Sequence, residues 1–190
     1  MLRPFHPVDI PALYRVCLLT GDAGGDATAL HRDPDLVGHV YVGPYPAADP
    51  SLAFVVHDDD GVAGYLVGTA DTAAFDAWCE EHWWPALRER YPLRADDGPA
   101  DRLLLEHVHS PRPEPAPPGH PAHLHINLLP RLQRQGWGRR LIEAFADALR
   151  GRGVRGAHLE VDARNTNARG FYARLGFVPD DEPGRLLLTL

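Results

Sequence analysis

Gln133-Arg134-Gln135-Gly136-Trp137-Gly138 is the stretch on which the fold assignment turns. Before it, residues 123–129 (His-Leu-His-Ile-Asn-Leu-Leu) alternate in polarity like a central strand. After it, residues 136–150 place Leu141, Ile142, Phe145, Ala148 and Leu149 on one face of a helix that Gly151 and Gly153 end. Glycines at such a junction let the main chain come close to a ligand. The unpaired amides of a first helical turn, at the positive end of the helix dipole, then attract an anion. Each interaction with the dipole is worth roughly 0.3–1 kcal/mol, so several amides must act together with Arg134 and Arg139. A glycine-rich turn that binds nothing would read the same way on these six residues alone. Two other phosphate-binding patterns do not fit. A P-loop needs Gly-Lys-Ser/Thr where Gly138-Arg139-Arg140 stands, and a dinucleotide fingerprint needs a third glycine where Leu141 stands.

Strand and helix patterns alternate over the rest of the chain. Residues 1–5 read as a first strand. Asp9 is placed to cap a helix carrying Ile10, Leu13, Tyr14, Cys17 and Leu18. A Gly/Asp-rich loop over 20–28 precedes a short helix over 35–42. Residues 51–57 and 62–68 are apolar runs joined by Asp58-Asp59-Asp60-Gly61, which predicts an antiparallel hairpin. Residues 72–91 read as a helix that Pro85 kinks or restarts, with Trp78, Trp83 and Trp84 as core stripe or cleft floor. Six prolines within 110–121 mark a long loop, part of a Pro/His-rich insertion over about 107–122. Residues 157–161, 166–175 and 185–190 read as strand, helix and strand. No repeat is present.

With 190 residues the chain suits one domain with a substantial core. Its net charge of −7, from 19 basic and 26 acidic residues, opposes sequence-independent nucleic-acid binding. The local basic run over 131–140 suits a small polyanion. No apolar run approaches 18 residues and no leader-like segment opens the chain, so no membrane association is expected. Cys17 and Cys79 lie far apart without metal-ligand spacing, and a reduced, cytoplasmic setting is expected.

The Gln133-x-x-Gly136-x-Gly138 run, three residues after Pro130, resembles the pyrophosphate loop of the GNAT acetyltransferases. A second match is independent of it. Asn165, Ala168, Tyr172 and Gly176-Phe177 reproduce that family's N-x-x-A-x-x-x-Y-x-x-x-G-F run, and the two together span residues 133–177, about a quarter of the chain. The run Gly64-Tyr65-Leu66-Val67-Gly68-Thr69, then Asp71, Phe75 and Trp83-Trp84-Pro85, with a long insertion before the cofactor strand, is similar to the acetyltransferase-like C-terminal domain of O-GlcNAcase and its stand-alone bacterial relatives. The glycosidase barrel of roughly 250 residues has no counterpart here, so no hydrolase activity is expected.

The resemblance implies an α/β (α+β) GNAT fold: a mixed, mostly antiparallel twisted sheet, splayed at the cofactor strand and flanked by helices. It implies acetyl-CoA as co-substrate and an amine acceptor, either a small molecule or a lysine side chain, in a monomer or homodimer. Leu128 and Leu129 would offer backbone groups to the acyl carbonyl and pantetheine arm. Gln133, Arg134, Gln135, Gly136, Trp137, Gly138 and Arg139 would hold the pyrophosphate, and Asn165 would bond the pantetheine arm. Tyr172 would protonate the departing thiolate, although Phe171, Tyr172 and Leu175 also suit a packed helix face. No base stands out. His158, Glu160 and Asp162 share a face if 157–161 is a strand; Glu160 or Asp162 is placed to serve, as is His125, while Asn127 is suited only to orient an acceptor. His107 and His109, if extended, would pair on one face as His123 and His125 do. That set lacks further ligands, and no metal is expected. The same resemblance leaves cofactor binding without transfer as the alternative.

Overall fold

A computed structural model describes residues 1–113 and 115–190. Among the described residues seven strands form one sheet: β1 (Leu2–Pro4), β2 (Ala53–Asp58), β3 (Gly61–Thr69), β4 (Ala122–Leu128), β5 (Gly156–Glu160), β6 (Val178–Pro179) and β7 (Arg185–Thr189). Their order across the sheet is β1-β2-β3-β4-β5-β7-β6. All neighbours are antiparallel except β4 and β5, which run parallel. Helices α1 (Ile10–Leu18), α2 (Leu36–Tyr41), α3 (Pro44–Ala48), α4 (Thr72–Trp78), α5 (Trp84–Arg90) and α6 (Pro99–His109) precede β4, whereas α7 (Trp137–Arg150) and α8 (Thr166–Arg174) follow it.

Strand alternation divides the apolar residues into two cores. Tyr65 and Val67 of β3 face a cluster with Leu13, Tyr45, Trp84 and Val108 from the first six helices. Leu66 of β3 and Leu124 of β4 face the other, with Leu141, Phe145 and Leu149 of α7 and with Tyr172 and Phe177. Gly61, at φ 100°, begins β3 at the expected hairpin. Gly68 has no room for a side chain, because a Cβ there would lie 2.6 Å from Phe145 Cζ.

Several local expectations are corrected. Asp9 does not cap α1; it ends a 3-10 turn over Pro7–Asp9. Its carboxylate instead accepts two bonds from Arg3, each 2.7 Å, and one from the His6 N–H at 2.8 Å. The helix over 72–91 is three pieces, since a π-helical turn over Cys79–Trp83 separates α4 from α5. Pro85 lies in the first turn of α5, where a missing N–H costs nothing. His107 and His109 are helical rather than extended, and two residues on a helix lie about 200° apart, so they share no face. The signal for α6 was its Leu104, Leu105 and Val108 stripe, all buried. The short α3 and β6 were too brief to show periodicity.

The proline-rich loop therefore runs over 110–121, with position 114 outside the described residues. Its far end rests on the sheet. Gly119 O lies where a Cβ on Gly156 would stand, and Pro121 O accepts from the Thr72 N–H at 2.8 Å. Among the described residues no helix is long and apolar enough to cross a membrane.

Candidate active site

The one parallel pairing opens the site. β4 and β5 pair only at Ala122↔Ala157 and His123↔His158 and then part. Leu129 N–H donates to Ala63 O at 2.8 Å, which fixes the odd-numbered residues of β4 as those bonded to β3. The backbone groups of Ile126 and Leu128 consequently face the β5 side, where pairing has ceased. A cleft of about 610 Å³ occupies this gap, lined among others by Ile126, Leu128, Gly136, Gly138, Asn165 and Tyr172.

The loop leading into α7 is braced from within. Gln133 turns its side-chain amide back onto Leu128 O at 3.0 Å, and Gln135 donates to Arg131 O at 2.7 Å. Arg131 is in turn anchored to Asp58 at 2.7 Å. Arg134 has φ 60° and Gly136 has φ 82° with ψ 0°. Two left-handed residues in three turn the chain sharply and point the next amides at the gap. The amides of Trp137, Gly138 and Arg139 precede the first bond into the helix, which Arg140 N–H makes to Gly136 O at 3.2 Å. Gly138 is small for a packing reason: a Cβ there would lie 2.7 Å from Phe171 Cζ.

Of the residues singled out in the sequence, Leu128, Gln133, Arg134, Gly136, Gly138, Arg139, Asn165 and Tyr172 line this one cleft. Three are not brought into it. Leu129 uses its N–H on Ala63, Gln135 braces Arg131, and the ring of Trp137 lies 4.7 Å under the Arg140 guanidinium. Arg134 and Arg174 line the cleft and have no carboxylate partner among the described residues, and Arg139 lies 3.8 Å from Glu143. Arg174 was not foreseen, because it stands at a variable position of the second motif.

Asn165 caps α8 by accepting from Ala168 N–H at 3.0 Å, and its Nδ2 faces Gly24 across the cleft. Tyr172 packs between Phe171 and Phe177, with ring centroids 5.2 Å from each. Burial raises its phenol well above the usual tyrosine range, which keeps the proton on oxygen. Its hydroxyl has no protein partner among the described residues, yet it is not sealed from the cleft.

The opposite wall is the Gly/Asp-rich loop, which sequence reasoning left without a role. Asp22 and Gly25 exchange two backbone bonds of 3.0 and 2.7 Å around Ala23 (φ 50°) and Gly24 (φ 95°). Arg164 clamps this hairpin to the other side by bonding Asp22 at 2.9 Å and Asp162 at 2.7 Å.

The base candidates are placed elsewhere. Asp162 is held by Arg164, which keeps its carboxyl below the usual range, and Glu160 is exposed. His158 bonds His120 O at 2.8 Å and is pushed down by burial. Asn127, suited only to orient an acceptor, does line the cleft and donates to Tyr65 Oη at 2.7 Å. His125 bonds Tyr45 Oη at 2.9 Å and is pushed down to about 4 by burial. Among the described residues, neither a carboxylate nor a histidine lines the cleft, and no three His, Cys, Asp or Glu side chains converge as a metal site requires.

The sequence pattern of the Acetyltransferase (GNAT) family matches residues 28–177. The chain belongs to the GNAT acetyltransferase family. Its fold matches the solved structure of SsHAT with a TM-score of 0.92 and 38% identity, over 100% of this chain and 97% of that one. Protein O-GlcNAcase of Rattus norvegicus is 26% identical over 180 residues, which are 92% of this chain and 20% of that protein. The chain thus spans about a fifth of the length of the curated relatives it matches. A GNAT family acetyltransferase from Brucella melitensis, solved in complex with acetyl-CoA, shares the fold at TM-score 0.51 and 18% identity, over 100% of this chain and 87% of that one.

Proposed function

We propose that this GNAT member moves an acetyl group from acetyl-CoA to a primary amine by direct attack. The observation that carries the proposal is the joining of two features: a gap between parallel strands, and a helix start that borders that gap together with Arg134, Arg139 and Arg174. The amides of α7, with Arg134, Arg139 and Arg174, would hold the diphosphate and its neighbouring charge. The pantetheine arm would lie along β4 in place of the missing β5 pairing, bonded by the Ile126 and Leu128 backbone and by Asn165 Nδ2.

In the reaction the amine nitrogen attacks the thioester carbonyl carbon, and the Leu128 N–H would stabilise the oxyanion that forms. The C–S bond then breaks, the sulfur gains a proton from Tyr172 Oη, the nitrogen's proton passes to solvent water, and water returns a proton to the Tyr172 phenolate. A phenol whose pKa burial has raised stays protonated until the thiolate develops beside it.

A second reading, binding of acetyl-CoA without transfer, is favoured by the lack of any carboxylate or histidine on the cleft's described lining. Calorimetry with acetyl-CoA tests both, and absence of heat would remove them together. Release of free thiol across a panel of amines and peptides decides between them, since binding without release supports the second.

A further inference from the structure

The groups missing from the first cleft collect on the other face of the sheet. A second cavity, of about 950 Å³, lies between β4 and the helices α2 to α6, with Asp76, His123 and His125 in its lining.

The hydrogen bonds along its floor have a single direction. Pro121 O only accepts, so Thr72 Oγ1 donates to it at 2.8 Å. Thr72 Oγ1 then accepts from His123 Nδ1 at 2.8 Å, which leaves His123 Nε2 to accept from the Tyr45 hydroxyl at 2.8 Å. The Tyr45 oxygen in turn accepts from His125 Nε2 at 2.9 Å. This series fixes His125 with a lone pair on Nδ1. That atom has no protein partner among the described residues and is not sealed off, so it offers an acceptor to whatever enters.

Asp76 is the second anomaly. It lies one helical turn beyond Thr72 on α4, half-buried, with neither a hydrogen bond nor an ion pair among the described residues. Desolvation alone raises its carboxyl to about 6. The neighbouring charges are already satisfied, because Arg88 grips Glu80 through two bonds of 2.7 Å. A half-buried carboxylate without a partner calls for a cation. The rings of Tyr41, Tyr45, Phe75 and Trp84 around it are surfaces that cations favour.

We infer that this cavity holds a linear aliphatic polyamine, with its distal ammonium on Asp76, an inner amine bonded to His125 Nδ1 and its reacting amine carried on along β4 to the gap beside Asn127. The length follows from the strand. His123, beside Thr72, and Asn127, at the first cleft, are four residues apart, about 13 Å at 3.3 Å per residue. An extended triamine reaches across that span and a short monoamine does not. The orientation of the reacting amine rests on the transfer reading, whereas the cation site at Asp76 stands without it.

Calorimetry of the full chain with spermidine, in the absence of acetyl-CoA, tests the site. Spermidine should bind far more tightly than propylamine. Asp76→Asn should weaken spermidine by at least about tenfold while acetyl-CoA binding stays unchanged, because Asp76 lies outside the first cleft. A protein that binds acetyl-CoA but gives no heat with spermidine overturns the inference, as does an Asp76→Asn chain that keeps the parent affinity. Spermidine binding that depends on Asp76, with no thiol released on adding acetyl-CoA, would retain the cation site and remove the transfer reading instead.

Discussion

Gly136 and Gly138 sit two residues apart for different physical reasons, and replacing each by alanine separates those reasons. At Gly136 an added Cβ meets nothing within 4 Å, but the backbone is held at φ 82°. The cost of Gly136→Ala is therefore conformational, about 1–2 kcal/mol. For a chain of this size that lowers Tm by about 2–8 °C. If the loop relaxes toward negative φ, the following amides turn away from the gap. Losing one charge-assisted bond of about 1.5–3 kcal/mol weakens acetyl-CoA by about 10- to 100-fold. At Gly138 the backbone is ordinary, yet the new Cβ would lie 2.7 Å from Phe171 Cζ and 3.1 Å from Cε2. Overpacking of about 1–3 kcal/mol opposes a helix-propensity gain of about 1 kcal/mol. A double-mutant cycle by urea denaturation with Phe171→Leu tells the two apart. Gly138→Ala should couple to it by at least about 1 kcal/mol, whereas Gly136→Ala should add to it within about 0.5 kcal/mol. Parent-like stability and affinity for Gly136→Ala would show that the left-handed cap does not shape the site.

Tyr172→Phe should lower turnover by roughly 10²–10⁴ with acetyl-CoA affinity kept, and stability should barely move because the hydroxyl has no protein partner. Unchanged thiol release would leave Tyr172 only its packing against Phe171 and Phe177. Arg164→Ala removes exposed, solvent-screened ion pairs, but it unclamps the hairpin over 22–25. Calorimetry should find acetyl-CoA binding several-fold weaker with Tm nearly constant, and equal affinity would free that hairpin of any role. His123, His125 and His158 are all pushed below the ordinary imidazole value of 6.5. The unfolded chain thus takes up protons below pH 6.5 that the folded chain refuses. Stability should fall as pH drops through 6.5, by at most about 1.4 kcal/mol per pH unit per histidine, until each site titrates in place, near 4 for His125. Asp76, raised from 3.8 to about 6, works in the opposite sense between those values. Urea midpoints that stay flat from pH 8 to 5 would contradict the histidine effect.

The parts of this fold that were legible in the sequence are those where local chemistry and tertiary role coincide. Residues 133–138 could be read because the glycine that turns the chain also begins a strongly amphipathic helix, and 166–177 because its spacing repeats a known run. Asp9 misled because a capping residue was expected from local pattern, while a charge six positions away, Arg3, claimed the carboxylate. His107 and His109 misled because two histidines in alternation mimic a strand when the leucine stripe before them is overlooked. The cleft wall over 20–25 carries no motif; its role comes from Arg164, far along the chain. Asp76 and the Thr72–His123–Tyr45–His125 series are joined only by the packing of α3 and α4 on β4, which no local spacing encodes.

The parting of β4 from β5 leaves a strand that is sealed along one edge and open along the other. Amide protons of His125 and Asn127, committed to β3, should exchange with solvent deuterium only through large openings of the sheet. Those of Ile126 and Leu128, interleaved between them, have no strand to donate to and should exchange quickly. The result is an alternating pattern along four consecutive residues, in which every second N–H is open to an incoming extended chain. A pantetheine arm is such a chain, so the open edge offers, within the sheet itself, a place shaped for the cofactor we propose.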